Sequence, residues 1–242
     1  MDWQFASSGS WANIKAELLA TTKQRLAALE TLLEVVQNVN LHKDEVGELM
    51  DMSDTLLSDN NFKVTQQALE VLVVIIGKQG DAVRPYGRIL VPGLIERLGD
   101  GRQIVRQLAH RVFLGLIRAQ SLDTLLEQLS PHWSHRSWRV KQGLLGILNE
   151  VLATGGPAIL TSCREKNVTG LIQHVLPLIG DADVAVRDGA TDCIQHLYTV
   201  AGQWVIEKLG TAQFLRPAQQ KDLLARLDKI SPVAPFLVGD GG

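Results

Sequence analysis

Apolar residues along this chain recur with the period of an α-helix. In the segment from Leu56, Val64, Ala68, Val71, Leu72 and Ile75 fall at i, i+4, i+7, i+8 and i+11, which places them on one helical face. No strand-like alternation of useful length occurs. The helical stretches are themselves organised by a larger repeat. An apolar helix end is followed by an Asp-containing turn, then by Val and a basic or polar residue that opens a second apolar helix. The pattern reads LLSDNNFKVTQQALEVL from Leu56, RLGDGRQIVRQLAHRVF from Arg97 and LIGDADVAVRDGATDCI from Leu178. Weaker copies are WSHRSWRVKQGLLGIL from Trp133 and LATTKQRLAALETLL from Leu19.

Aligned on the residue after the Val position, the copies give Arg25, Thr65, Arg106, Lys141 and Arg187, with steps of 40, 41, 35 and 46 residues. That is the period of HEAT and armadillo arrays. The pattern predicts an all-α fold, an α-solenoid of about six HEAT repeats at roughly 12–40, 44–80, 84–120, 122–156, 167–202 and 203–230. These form one domain over residues 1–232, and the Pro- and Gly-rich residues 233–242 read as a tail or the start of a linker in a longer protein. Asp59, Asp100 and Asp181 are placed to cap the second helix of their repeats. Pro85, Pro92, Pro131 and Gly155-Gly156-Pro157 punctuate between helices. Trp204 and the segment QQKDLLARLDKI read as a closing helix over the last full repeat.

Composition agrees and narrows the function. Hydrophobic residues make up 45% of the chain and aromatics only 5%, which favours aliphatic helix packing over a β-sandwich. The run Val71 to Ile76 is far too short to cross a membrane, and Met1 to Ser10 lack the features of a secretory leader. Two cysteines, Cys163 and Cys193, make neither a disulfide framework nor a thiolate metal site, and both sit in apolar-periodic stretches. A net charge of −2 gives no global field for nucleic acid. Neither GxGxxG nor GxxxxGK[ST] occurs, so no phosphate cradle is expected. His132 and His135 stand three apart beside Trp133, but without a carboxylate or thiol cluster they read as loop residues. No cofactor, metal or catalysis is expected.

The strings NNFKV, ERLGDGRQIVR and HRSWRV resemble the first TOG domain of the CLASP family of microtubule-associated proteins, with most similarity to plant or algal-type members. The resemblance runs from about Thr22 to about Leu227. It implies a flat paddle of six HEAT repeats that grips αβ-tubulin, free or in microtubules, through the loops joining the two helices of each repeat. It further implies a monomeric cytoplasmic module of the microtubule cytoskeleton, contributing to catastrophe suppression and rescue, or docking on other domains of its own protein. Thr22 stands where many TOG domains that bind free tubulin carry a Trp.

The residues at these turns suit such a role. They carry Lys23, Arg25, Lys63, Arg102, Arg106, Arg136, Arg139, Lys141 and Arg187, a concentration of cations on a nearly neutral chain. Two residues before the Val position stand Thr22, Phe62, Gln103, Trp138 and Val184. The candidate tubulin-binding set is therefore Thr22, Lys23, Phe62, Lys63, Arg102, Gln103, Trp138, Arg139, Asp183 and Val184. Phe62 and Trp138 can serve as interface anchors or as staples of the helix start. Arg106 and Arg187 follow Asp100 and Asp181 by six residues, a spacing suited to a structural Asp–Arg ladder. The competing reading is a HEAT scaffold whose partner is not tubulin and docks on the helix faces.

Overall fold

The computed structural model describes residues 8–210 and 215–232; the tail 233–242 and most of the residues read for a leader lie outside these. The described residues form helices joined by short turns, without a strand among them. The chain divides into two compact units, Met1–Gln120 and Ser121–Gly242.

The first unit holds three helix pairs: α1 (Ser8–Leu18) with α2 (Thr22–Asn38), α3 (Lys43–Leu57) with α4 (Phe62–Val83), and α5 (Gly87–Leu98) with α6 (Gln103–Gln120). The second helices stack α2 on α4 and α4 on α6, while α3 packs on α5. Leu29, Leu32, Met50, Leu57, Leu69, Ile75, Leu94, Ile95 and Phe113 are buried between them. This apolar burial is the main force holding the layers. The helices approach closely where α6 crosses α4: a Cβ on Gly115 would lie 2.8 Å from the Ile76 side chain. At the far end of α2, the Lys78 ammonium donates to the carbonyls of Val36 and Gln37 at 2.9 and 3.2 Å. The Gln79 amide answers both the N–H and the C=O of Leu41, at 2.9 and 2.8 Å, where α4 itself kinks. Pro92 lies inside α5 and not between helices, because Leu90, Val91, Leu94 and Ile95 bury around it and outweigh the missing ring N–H.

The second unit comprises α7 (Leu122–Leu129), α8 (Trp138–Gly155), the short α9 (Ala158–Thr161), α10 (Glu165–Val175), α11 (Val184–Ala201), α12 (Gln203–Gly210) and α13 (Pro217–Leu227). Here α8 packs on α11 and α7 on α10, and α13 covers α11 with Leu223 and Leu227. The chain reverses after α8 at Gly156, whose φ of 57° suits glycine. Asp123, 9% exposed, clamps α7 to the start of α10. Its Oδ1 accepts from the Arg164 N–H at 2.8 Å and the Asn167 amide at 2.7 Å, and its Oδ2 from the Arg164 Nε at 2.8 Å. Trp133 is buried and stacks on His174, whose Nε2 lies 3.2 Å from the Ser130 hydroxyl.

Every turn between paired helices from the second to the fifth repeat is closed in one way. Asp59, Asp100 and Asp181 do not cap the helices. Each turns its Oδ1 back to accept the N–H two residues on, from Asn61, Arg102 and Asp183, at 2.7, 2.8 and 3.0 Å. Asn61 and Asp183 do the capping, accepting from Lys63 and from Ala185 and Val186. An aspartate favours both motifs, so residue type alone misplaces the cap by two positions. His135 takes the aspartate's place in the fourth repeat, its Nδ1 accepting from the Ser137 N–H at 3.1 Å. That is the structural duty of His135, the second of the two loop histidines.

Cross-links between repeats complete the arrangement. The Arg25 guanidinium reaches the Asp59 carboxylate at 2.7 Å, and the Lys141 ammonium reaches Asp181 at 2.7 Å. Within repeats, Arg106 donates to the carbonyls of Asp100 and Gly101 at 2.7 and 3.1 Å. Arg187 does the same to Asp181 and Ala182 at 2.8 and 2.9 Å. The six-residue Asp–Arg spacing thus joins guanidinium to main-chain carbonyl, while carboxylate links join the first repeat to the second and the fourth to the fifth, and Asp100 pairs with Arg97 of its own repeat.

Burial pushes the Asp123 and Asp181 carboxyls up. Arg164 and Asn167 at the first, and Lys141 and the Asp183 N–H at the second, outweigh it and hold both below the usual range. Burial lowers His174. Carboxyls with depressed values bind fewer protons folded than unfolded, and so does the histidine, so both lose stability towards acid. The thermal midpoint should fall first below about pH 6.5, a step that His174→Gln removes, and again below about pH 4. Asp123→Ala, which strands the Arg164 and Asn167 donors, should cost about 2 kcal/mol in chemical unfolding, discounted because Arg164 is half exposed.

Candidate functional site

The helix starts put the candidate residues in register. Thr22, Phe62, Gln103, Trp138 and Val184 are each the first residue of the second helix of their pair. Two positions later Val64, Val105, Val140 and Val186 are buried, anchoring that helix start to the core. The first residue consequently lies at the turn, exposed at Gln103, Trp138 and Val184 and partly buried at Thr22 and Phe62. Trp138 is 38% exposed and Val184 58%, in contrast to the buried Trp133 and Phe113. In the first repeat Thr21 caps α2 in a box with Gln24.

In the first unit three turns lie side by side, tied by contacts between them. Arg25 joins the first turn to the second through Asp59. The Arg102 guanidinium lies over the Phe62 ring, 4.1 Å from its centroid, joining the third to the second. This groups Thr22, Lys23, Phe62, Lys63, Arg102 and Gln103. A cleft of about 630 Å³ opens between the first two turns, lined by Thr22, Arg25, Asp59, Asn61 and Phe62 among others. In the second unit the Lys141–Asp181 pair joins the fourth turn to the fifth and groups Trp138, Arg139, Asp183 and Val184. Arg139 stacks on Trp138 at 4.6 Å.

The basic residues of the turns separate into two kinds. Arg25, Arg106, Lys141 and Arg187 are half-buried and occupied by the bonds described above. Lys23, Lys63, Arg136 and Arg139 are exposed, and among the described residues they form no ion pair. Arg102 stands between, its nearest carboxylate oxygen being Asp100 Oδ1 at 3.7 Å, beyond hydrogen-bonding distance. A free ammonium or guanidinium on a surface turn costs little to leave in water and is available to a carboxylate. Asp183 uses Oδ1 to cap α11, which accounts for it without a partner.

Two exposed apolar residues belong to the same turns and escaped the sequence reading. Leu19, 63% exposed, stands at the place held by Asp59, Asp100 and Asp181, five before the Val position. An apolar residue at a position held by a turn-closing aspartate in the second, third and fifth repeats and by His135 in the fourth was the available signal. Ile104, second in α6, is likewise exposed. Burial raises the Cys163 and Cys193 thiols to about 12, far from a reactive thiolate.

These features fit known proteins. The model of the XMAP215/Dis1/CLASP TOG domain matches residues 21–227. The CLIP-associated protein of Arabidopsis thaliana is 31% identical over 214 residues, which cover 87% of this chain and 14% of that protein. The chain thus spans a small part of the length of such curated relatives. A solved structure of Crescerin, described as using a TOG domain array to regulate microtubules in the primary cilium, superposes with a TM-score of 0.75. Its identity is 20%, over 91% of this chain and 90% of that one. Another, described under TOG–tubulin binding specificity in microtubule dynamics and mitotic spindle formation, gives 0.70 at 18% identity, over 95% and 92%. At those identities the likeness is one of fold. The family match, spanning both units and all five turns, carries the assignment: this chain belongs to the XMAP215/Dis1/CLASP TOG-domain family.

Proposed function

We propose that this chain is a tubulin-binding module of a microtubule-associated protein, acting in the cytoplasm on αβ-tubulin or microtubules through its intra-repeat turns. The observation that carries this reading is the set of cations that the fold leaves unengaged. Lys23 and Lys63, with Arg102 nearly so, lie on neighbouring turns of the first unit, and Arg139 on the second. Apolar Phe62, Trp138 and Val184 stand beside them at the helix starts. Exposed cations around aromatic anchors suit an acidic protein surface. Residues 1–232 act as one monomeric module, and the turns contact tubulin within a longer protein that regulates microtubule dynamics by catastrophe suppression and rescue. The action is stoichiometric, without turnover, metal or nucleotide. A module that binds one tubulin conformation more tightly shifts the polymer equilibrium by that difference in affinity and by nothing else.

One observation supports the scaffold alternative, in which the partner is not tubulin. A cleft of about 330 Å³ between α7 and α10, lined by Leu126, Trp133, Lys166, Asn167 and His174, offers a docking place on a helix face.

Co-elution with αβ-tubulin on a sizing column at low salt tests the proposal. The wild-type domain should shift the tubulin peak, and the triple variant Lys63→Glu, Arg102→Glu, Arg139→Glu should not. Its unfolding free energy should stay within about 2 kcal/mol of wild type, since Lys63 has no close partner and the exposed ring contacts of Arg102 and Arg139 contribute only modestly. Absence of a shift for wild type, with a blank microtubule pelleting assay, would move the domain to the scaffold reading.

A further inference from the structure

We propose that Phe62 and Trp138 are positioning residues, each holding an arginine as a rigid fork that reads a carboxylate of the partner; this deepens the tubulin-binding reading and rests on it. The two aromatic residues that begin second helices each carry a guanidinium on the ring, Arg102 on Phe62 at 4.1 Å and Arg139 on Trp138 at 4.6 Å. The pairings arise by different routes. Arg102 comes from the turn of the next repeat, whereas Arg139 is the chain neighbour of Trp138. Similar geometry reached independently in two units points to the guanidinium and not to a local accident of the backbone.

Neither ring serves the core in the ordinary way. Trp138 is exposed and Phe62 only partly buried, although buried Trp133 and Phe113 show that the core accepts such side chains fully. The donors of the guanidinium lie in its plane, so a ring on one face leaves the edge open. Arg102 keeps 53% of its side chain exposed and makes no side-chain hydrogen bond among the described residues, its main-chain N–H being fixed to Asp100. The result is a cation already oriented, its donors unmatched and its rotamer restricted before any partner arrives. A planar carboxylate satisfies two of those donors at once, which a lysine ammonium cannot imitate.

The turns therefore divide the work. Lys23 and Lys63, with no ring beneath them, supply charge that draws the partner in. Arg102 and Arg139 supply direction, fixing where an aspartate or glutamate of the partner must sit. Steering acts on the association rate, and a preorganised close contact acts on the dissociation rate.

Stopped-flow kinetics with αβ-tubulin separate these roles. Phe62→Leu and Arg102→Lys both conserve charge. Each should leave the association rate and its salt dependence at wild-type values while raising the dissociation rate about tenfold, and Phe62→Trp should restore slow dissociation. Lys63→Gln should do the reverse, slowing association and flattening its salt dependence. In the free domain, the Arg102 side-chain proton resonances should lie upfield from the Phe62 ring current and move to ordinary positions in Phe62→Leu. Wild-type dissociation rates for Phe62→Leu and Arg102→Lys, or unshifted Arg102 resonances in the wild type, would overturn the inference while tubulin binding stands. A wild-type domain that does not bind tubulin at all would overturn both.

Discussion

A single hydrogen bond, from a side-chain acceptor to the main-chain N–H two residues on, sets the form of each turn from the second repeat to the fifth. Asp59, Asp100 and Asp181 supply a carboxylate oxygen for it, and His135 supplies Nδ1. Once that bond closes, the next helix must start at a fixed place, with its third residue, a valine, in the core and its first residue at the surface. The bond also leaves the second carboxylate oxygen and the aspartate's own carbonyl unused. Arg25 and Lys141 take the former from the preceding repeat, and Arg106 and Arg187 take the latter from their own. One polar group thereby orders a turn, a helix start and a contact between neighbouring turns.

The same bonds decide which cations are left over. A buried carboxylate that has given one oxygen to a peptide N–H still needs compensation for its charge, and the nearest arginine or lysine supplies it. Those cations are then lost to any partner. The ones that remain stand one or two residues from the helix start, beyond reach of the aspartates. Lys23, Lys63 and Arg139 are of this kind. What the fold needs and what it can offer are thus separated by position within a single turn, and the separation recurs because the repeat recurs.

Much of this could be read from residues alone because it repeats. The spacing of Val64, Val105, Val140 and Val186 located the second helices, and counting back two residues found the first residue of each. What escaped the reading was of two sorts. Aspartate suits both a cap and the turn before it, so only geometry assigns the cap to Asn61 and Asp183 two residues later. The other sort is contact between repeats. Arg25 and Asp59 are separated by 34 residues, and Phe62 and Arg102 by 40, so neither pairing follows from local spacing. Both need the stacking of the turns. Pro92 shows a third difficulty: a residue that usually ends helices is overridden where the surrounding positions bury well.

Hydrogen exchange of the domain with and without saturating αβ-tubulin, read by mass spectrometry at peptide resolution, tests the central claim most directly. The claim is that ordered turns present the unengaged cations as the binding edge. Added protection should therefore concentrate in peptides covering residues 19–25, 58–65, 99–106, 134–141 and 181–187, with the outward faces of α3, α5, α7 and α10 unchanged. Tubulin-dependent protection confined to those helix faces, with the five turns exchanging as in the free domain, would contradict it.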